Sequence, residues 1–253
     1  MQSDQRKRYP VTRPDHTSAP TALPAILLAV QGFDTGRILD VLDVEAEHHG
    51  LDAVVDDVIF PALRTVGTYW AHGSFSVAHE HLFTAAATRW LYFRLAVLPV
   101  PTSGPGVGDR RPQPVVLAAG PEDLHIIGLD CLELLLTARG VQTRNLAGRV
   151  PTDALVATAV AVDAAAVVIC SHAAPDATSA SVATDTLRAA HAAGLAVYYA
   201  GSSFDSPFVQ RRVPGTALDH SVAASADQLA RLVEGPRTDG TGTALTRPVR
   251  QAR

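Results

Sequence analysis

The chain has 253 residues, of which 47% are hydrophobic, and a formal net charge of −4, so it can bury one large core or two small ones. Lys7 is its only lysine, which excludes a P-loop lysine and a Schiff-base lysine from a folded core. No apolar run reaches 18 residues and no signal-peptide pattern is present, which predicts a cytoplasmic protein with no membrane contact.

Charge is unevenly distributed along the chain. Residues 1–22 carry a net +2 and residues 236–253 a net +3, which leaves −9 on the remainder. An acidic body disfavours a nucleic-acid-binding surface, so we expect no direct DNA binding. The two cysteines, Cys131 and Cys170, fall in a predicted helix and a predicted strand, which is typical of small core residues rather than a disulfide.

The N-terminal part of the chain is predicted to be helical. Residues 1–20 are rich in proline and charge and are expected to be a disordered tail. Across residues 21–98 the apolar positions recur at helical spacing, which predicts a bundle of four helices. Asp34 and Ser76 are predicted to cap the second and fourth of them.

The C-terminal part is predicted to be an α/β domain. Residues 99–112 form a linker rich in proline and glycine. Over residues 113–235 short apolar strands alternate with helices, which predicts a Rossmann-like, doubly wound parallel sheet. Residues 236–253 are expected to be a second disordered tail. The expected fold class is thus α plus α/β, with predicted strands at 114–119, 141–147, 165–171 and 196–201 and helices at 123–139, 152–163, 177–193 and 224–234.

An Asp-x-His-x-x-Gly segment, formed by Asp123, His125 and Gly128, follows the first strand. The carboxyl ends of strands in an open α/β sheet border the crevice where ligands bind. A carboxylate on one ring nitrogen of a histidine fixes its tautomer and makes the other nitrogen a better metal ligand. Gly128 would let a bulky ligand approach the backbone. An ordinary alternative is that Asp123 only caps a helix and His125 is a surface residue.

This segment resembles the motif of the cobalamin-binding domain of B12 proteins, in which the histidine is the lower ligand of cobalt. The resemblance implies that His125 binds cobalt and that Asp123 supports it. The family's other marks correspond to Ser171 and Gly201, after the third and fourth strands, which would line the slot for the nucleotide tail. Two neighbours, Ala173 and Ala200, depart from the family pattern.

Trp70 is followed after nine residues by Glu80 and His81, a spacing that resembles the motif of CarH-type light-dependent cobalamin regulators. The resemblance implies that the helical bundle is a cap on the upper face of cobalamin and that these three residues surround a 5′-deoxyadenosyl group. Ala71 stands where the family has a histidine, and His72 follows one residue later. Taken alone, Trp70 would more ordinarily be a packing residue, with Glu80 and His81 on the polar edge of a helix.

The resemblance implies a photoreceptor and not an enzyme. Light would cleave the cobalt–carbon bond of adenosylcobalamin held between bundle and α/β domain, and would change lobe packing or oligomeric state. We expect a homo-oligomer, either dimer or tetramer, with a downstream regulator or enzyme as partner. The resemblance covers residues 21–235 and includes no MerR-type DNA-binding domain, as in the stand-alone photocobilins, which hold a bilin such as biliverdin as second chromophore.

A second function remains open from the sequence. A corrinoid shuttle protein, or the B12-binding subunit of a methyltransferase, shares the bundle, the sheet and the lower-face histidine. Such a protein uses methylcobalamin, and a methyl group has no ribose hydroxyls for Glu80 to contact. The motif at Trp70, Glu80 and His81 therefore favours the photoreceptor.

Overall fold

The computed structural model describes residues 22–101, 113–172 and 178–234. These fall into two compact units that meet at residues 87 and 88. The predicted tails at 1–20 and 236–253, and most of the predicted linker at 99–112, lie outside the described residues, so those predictions stay untested.

The first unit is helical, as predicted. Asp34 caps the second helix, because its carboxylate accepts a hydrogen bond from Arg37 N at 2.9 Å. Gly50 has φ +83° and interrupts the helical run there. The helices bury an apolar core that includes Ile26, Ile38 and Phe83. The helical segments are α1 (Ala22–Gln31), α2 (Thr35–Ala53), a π-helical turn (Val54–Ile59), α3 (Phe60–Ala71) and α4 (Val77–Val97), the last of which runs on into the second unit.

The second unit is built on a five-stranded sheet in the order β2-β1-β3-β4-β5, with every neighbouring pair parallel. Helices α6 and α7 pack on one face of it through a shared apolar cluster, and α5 packs against α9. The strands are β1 (Val115–Ala119), β2 (Thr143–Asn145), β3 (Ala166–Cys170), β4 (Val197–Ala200) and β5 (Thr216–Ala217). The helices are α5 (Ile127–Ala138), α6 (Thr152–Ala161), α7 (Thr178–Ala192), a 3₁₀ turn (Ser202–Phe204), α8 (Pro207–Gln210) and α9 (Val222–Glu234).

The predicted fold class is confirmed, and its strand order places the site. The strand order reverses between β1 and β3, which is the switch point where open sheets of this kind bind ligands. The loops that follow these two strands begin at Gly120 and Ser171. Gly120 N donates to Cys170 O at 3.0 Å, so the two loops leave the sheet side by side.

Two predicted boundaries are wrong for local reasons. Helix α5 begins at Ile127 rather than at residue 123, because the Asp123 carboxylate bonds the backbone N–H two residues on, a turn that competes with helix formation. Strand β2 ends at Asn145 rather than at 147, because Ala147 has φ +60° and Arg149 φ +55°. Strand β5 and α8 lie in a stretch for which the sequence predicted no regular element.

None of the helices in the described ranges combines the length and the apolar character that crossing a lipid bilayer requires.

Candidate functional site

The carboxylate of Asp123 organises the loop between β1 and α5. Its Oδ1 accepts a hydrogen bond from His125 N at 2.7 Å and lies 2.8 Å from His125 Nδ1, while Oδ2 accepts from His172 N at 2.5 Å. Burial by itself would raise the pKa of Asp123, but the hydrogen bonds from the two backbone N–H groups and the nearby imidazole lower it overall. Asp123 is therefore a buried, ionised acceptor at neutral pH.

His125 is held by this carboxylate and is otherwise open to solvent. Its side chain is 70% exposed, whereas that of Asp123 is 2% exposed. An ionised carboxylate only accepts hydrogen bonds, so Nδ1 of His125 is the protonated nitrogen. The lone pair therefore resides on Nε2, which is the arrangement of an imidazole prepared to bind a metal.

His172 brings a second imidazole to the same place. It follows β3 by two residues, and its ring centroid lies 5.2 Å from that of His125. Burial lowers the pKa of His172, with the charge of Asp123 acting in the opposite direction. The signal that could have marked His172 in the sequence was its position directly after a predicted strand.

Ser171 and Gly201 are adjacent, but Ser171 is turned inward. Ser171 is buried and its Oγ lies 2.9 Å from Ser203 Oγ, a partner that the sequence analysis missed. Gly201 has φ +103°, and a Cβ there would overlap the carbonyl oxygen of Ser171. Only glycine allows β3 and β4 to end this close together. The predicted role of both residues in a nucleotide slot stays a prediction.

Gly148 is a supporting residue that the sequence analysis did not identify. A Cβ at Gly148 would stand 2.9 Å from Asp123 O and 3.2 Å from Ile126 Cγ2. Arg149 N also donates to Asp123 O at 3.0 Å. The loop after β2 is thus packed directly beneath the Asp123–His125 loop, and a side chain at 148 would displace it.

Gly128, the last residue of the predicted motif, is the second residue of α5 and is half-buried. The structure places it one turn after the loop that carries Asp123 and His125. Its predicted role, to allow close approach of a ligand, stays a prediction.

The residues of the second motif lie on either side of the short loop that joins α3 to α4. Trp70 is in the last turn of α3 and is 52% exposed. Glu80 and His81 occupy the first turn of α4, where His81 Nδ1 lies 2.6 Å from Glu80 Oε2 and Thr84 Oγ1 donates to Glu80 Oε1 at 3.1 Å. The structure thus joins Glu80 to His81 and Thr84, and it leaves a large part of the Trp70 ring open to solvent.

A separate buried polar cluster lies on α5. Asn145 Nδ2 donates to Asp130 Oδ1 at 3.1 Å and to Glu133 Oε2 at 2.8 Å, so one amide bridges two carboxylates. Burial, and secondarily the charge of Glu133, raise the pKa of Asp130 to about 6. Burial followed by the charge of Asp130 raises the pKa of Tyr92.

We expect Asp130→Asn to stabilise the protein at pH 8 by about 1–3 kcal/mol and to have little effect at pH 4. The pKa of Asp130 is higher in the folded protein than in the unfolded chain, so protonation of this carboxyl increases the free energy of unfolding. That contribution is complete below about pH 4 and is lost as the pH rises to about 6. Urea denaturation at several pH values measures the difference.

The matched control for this change is Asp185→Asn, which alters an aspartate whose side chain is 68% exposed. Its effect on stability should be small, within about 0.5 kcal/mol. An Asp130→Asn variant with an equal stability difference at pH 4 and pH 8 would contradict the assignment.

Comparison with known proteins finds similarity to B12-binding proteins. Residues 23–94 match the family described as "B12 binding domain". The HTH-type transcriptional repressor CarH of Myxococcus xanthus is 36% identical over 138 residues, which is 54% of this chain and 43% of that protein. The match therefore spans less than half the length of this relative.

Solved structures align with this chain at low sequence identity. The monomethylamine corrinoid protein of Methanosarcina barkeri aligns with a TM-score of 0.63 and 14% identity, covering 81% of this chain and 95% of that one. A cobalamin-binding protein of Desulfitobacterium hafniense aligns over 83% of this chain at 20% identity, with a TM-score of 0.42. The first of these supports the helical-plus-α/β architecture of a corrinoid-binding fold.

The described residues fit a corrin on chemical grounds. A corrin that has lost its own base needs one neutral imidazole nitrogen, and His125 Nε2 is free for that role while Asp123 holds the other nitrogen. The side-chain exposure of His125 leaves room for a large ligand. The roles of the individual site residues stay predictions.

Proposed function

We propose that this chain, which is a cobalamin-binding protein related to CarH, senses light through bound 5′-deoxyadenosylcobalamin. The observation that carries the proposal is the Glu80–His81 pair at the start of α4, ten residues after an exposed tryptophan. This arrangement occurs in a chain that shares 36% identity with a CarH protein over 138 residues. A carboxylate, an imidazole and an exposed indole suit a cobalt-bound group that has both hydroxyls and an apolar surface.

In this proposal the cofactor supplies a cobalt–carbon bond that light breaks. Imidazole Nε2 of His125 would be the protein ligand of cobalt, and Asp123 would keep the ring oriented. Each carboxylate oxygen of Glu80 has a lone pair beyond the one used by Thr84 or His81, so Glu80 can accept hydrogen bonds from ribose hydroxyls. The exposed face of Trp70 covers the adenosyl group and excludes water.

The output of the proposed sensor is conformational rather than catalytic. Losing the adenosyl group removes the contacts of Trp70 and Glu80, and a ligand can shift a conformational equilibrium only by its differential contacts. We propose that the result is a change of packing or of oligomeric state that a regulator or enzyme partner recognises.

A bilin as second chromophore would extend the same proposal. Cys131 and Cys170 are both buried. Burial, and then the charge of Asp123, raise the pKa of Cys170 to about 12. A thiol in that state is a poor nucleophile, so a bilin such as biliverdin would be held noncovalently.

The proposal is tested by illuminating the chain loaded with adenosylcobalamin. Free adenosylcobalamin is also photolysed, so the decisive quantity is the size of the protein, measured by light scattering in the dark and after green light. We expect the molecular mass or the elution volume to change only in the illuminated sample. A parallel sample with biliverdin should acquire a far-red absorption band if the bilin extension is right.

Trp70→Ala provides the matching variant, with Phe93→Ala, another exposed aromatic residue, as its control. Trp70→Ala should weaken adenosylcobalamin binding about 10-fold and methylcobalamin binding much less, because only the adenosyl group reaches the ring. Equal losses for both cofactors, together with a size that light does not change, would favour the corrinoid shuttle or methyltransferase subunit instead.

A further inference from the structure

Three side chains of metal-ligand type converge at the carboxyl ends of β1 and β3. They are Asp123, His125 and His172, and one potential ligand atom from each lies within 4.8 Å of the others. Within residues 22–101, 113–172 and 178–234 this is the one such group of three. A corrin that carries an adenosyl group leaves cobalt one position for a protein ligand, so the function proposed above uses the imidazole of His125 and gives the imidazole of His172 no role.

The two parts of His172 have separable roles in this cluster. Its backbone N–H donates to Asp123 Oδ2 and would do so with any side chain except proline. Its imidazole Nδ1 is buried, has no hydrogen-bond partner and lies 4.0 Å from Asp123 Oδ2. A buried polar atom without a partner is costly, so the arrangement would be stabilised by a group that binds this nitrogen.

We propose that Asp123, His125 and His172 bind a free divalent transition-metal ion, of the zinc class, when no corrin is present. Two imidazoles and one carboxylate are ligands that zinc accepts, with water at the fourth position. His172 Nδ1 and Asp123 Oδ2 are 4.0 Å apart, whereas two ligand atoms of a tetrahedral zinc, each about 2.0–2.2 Å from the metal, are about 3.4 Å apart, so binding would draw the two atoms together by about half an ångström.

The ion and the corrin exclude each other at this site. His125 ligates the free ion through Nδ1, the nitrogen that faces Asp123, so the neutral ring carries its proton on Nε2 and has no lone pair left for cobalt. The ion would therefore satisfy His172 and order the two loops before the cofactor arrives, and it would have to leave when the corrin is loaded. This inference stands apart from light sensing, since it concerns the corrin-free protein.

The test is calorimetric titration of zinc chloride into the untagged, corrin-free chain. We expect one ion per chain. Removing a residue that only supports a metal ligand weakens metal binding by about 10- to 100-fold, so His172→Ala, which removes a ligand itself, should weaken zinc binding at least about 10-fold. His191→Ala, the same change at an exposed histidine of α7, is the control and should bind zinc like the parent.

A second measurement separates this site from the corrin site. His172→Ala keeps the backbone N–H that holds Asp123, so cobalamin should still be bound through His125. Prior addition of zinc should slow cobalamin uptake by the parent chain and affect His172→Ala much less. Absence of stoichiometric zinc binding by the parent, or unchanged affinity in His172→Ala, would overturn the inference, whereas failure of the light response alone would leave it standing.

Discussion

Replacing His125 by alanine is expected to remove the lower ligand of bound cobalamin and to weaken cobalamin binding at least about 10-fold. The side chain is 70% exposed, so its removal should change the free energy of unfolding by no more than about 0.5 kcal/mol. Asp123 would still accept hydrogen bonds from the backbone N–H groups of residues 125 and 172. A loss of cobalamin affinity would therefore result from the missing ligand and not from a disrupted loop.

The measurement is the visible spectrum of the loaded chain together with an equilibrium titration of cobalamin. The parent should show a corrin ligated by an imidazole, and the variant a corrin without one or with its own nucleotide base. Asp123→Asn is an informative intermediate, because it keeps the shape of the side chain but removes the charge that holds Nδ1 of His125. A His125→Ala spectrum that matches the parent would reject His125 as the ligand.

The sequence predicted the layers of the fold and the position of the ligand crevice. A short apolar run such as residues 115–119, bounded by proline and glycine, favours a buried strand, and alternation with helices favours a parallel sheet. The Asp-x-His spacing also predicted a contact that the structure contains, since Asp123 Oδ1 and His125 Nδ1 are 2.8 Å apart. Both features are local in sequence, which is why they could be read without coordinates.

The contacts that could not be predicted join residues that are far apart in the chain. His172 meets Asp123 across 49 positions, and Gly148 meets the backbone of the same loop from the end of β2. These contacts depend on which strands lie next to β1. Strand order is a property of the whole sheet and not of one local segment. The inward turn of Ser171 likewise depends on Ser203, which only the tight end of β4 brings within 2.9 Å.

Gly201→Ala is expected to be the most destabilising single change at the site, lowering the free energy of unfolding by about 3 kcal/mol. Two costs combine at this position. The backbone has φ +103° and ψ +159°, a region that residues with a side chain rarely adopt. The added Cβ would also overlap Ser171 O and stand 3.0 Å from Ser171 N.

The added Cβ would displace the backbone of Ser171, which directly precedes the N–H group that binds Asp123 Oδ2. Ser171 N donates to Ala200 O, Ser203 N donates to Ser171 O, and the next residue along supplies the N–H for Asp123 Oδ2. Moving Ser171 by a few tenths of an ångström would lengthen these bonds together. We therefore expect Gly201→Ala to weaken cobalamin binding as well as stability, although position 201 ligates nothing.

Gly194→Ala separates the two costs, because Gly194 has φ +81° but nothing within 4 Å of its added Cβ. It should lose only the conformational part, about 1–2 kcal/mol, and leave cobalamin affinity unchanged. Chemical denaturation and cobalamin titration of the two variants, side by side, give the comparison. If both lose the same stability and both bind cobalamin normally, the close approach of β3 and β4 is not what supports the ligand loop.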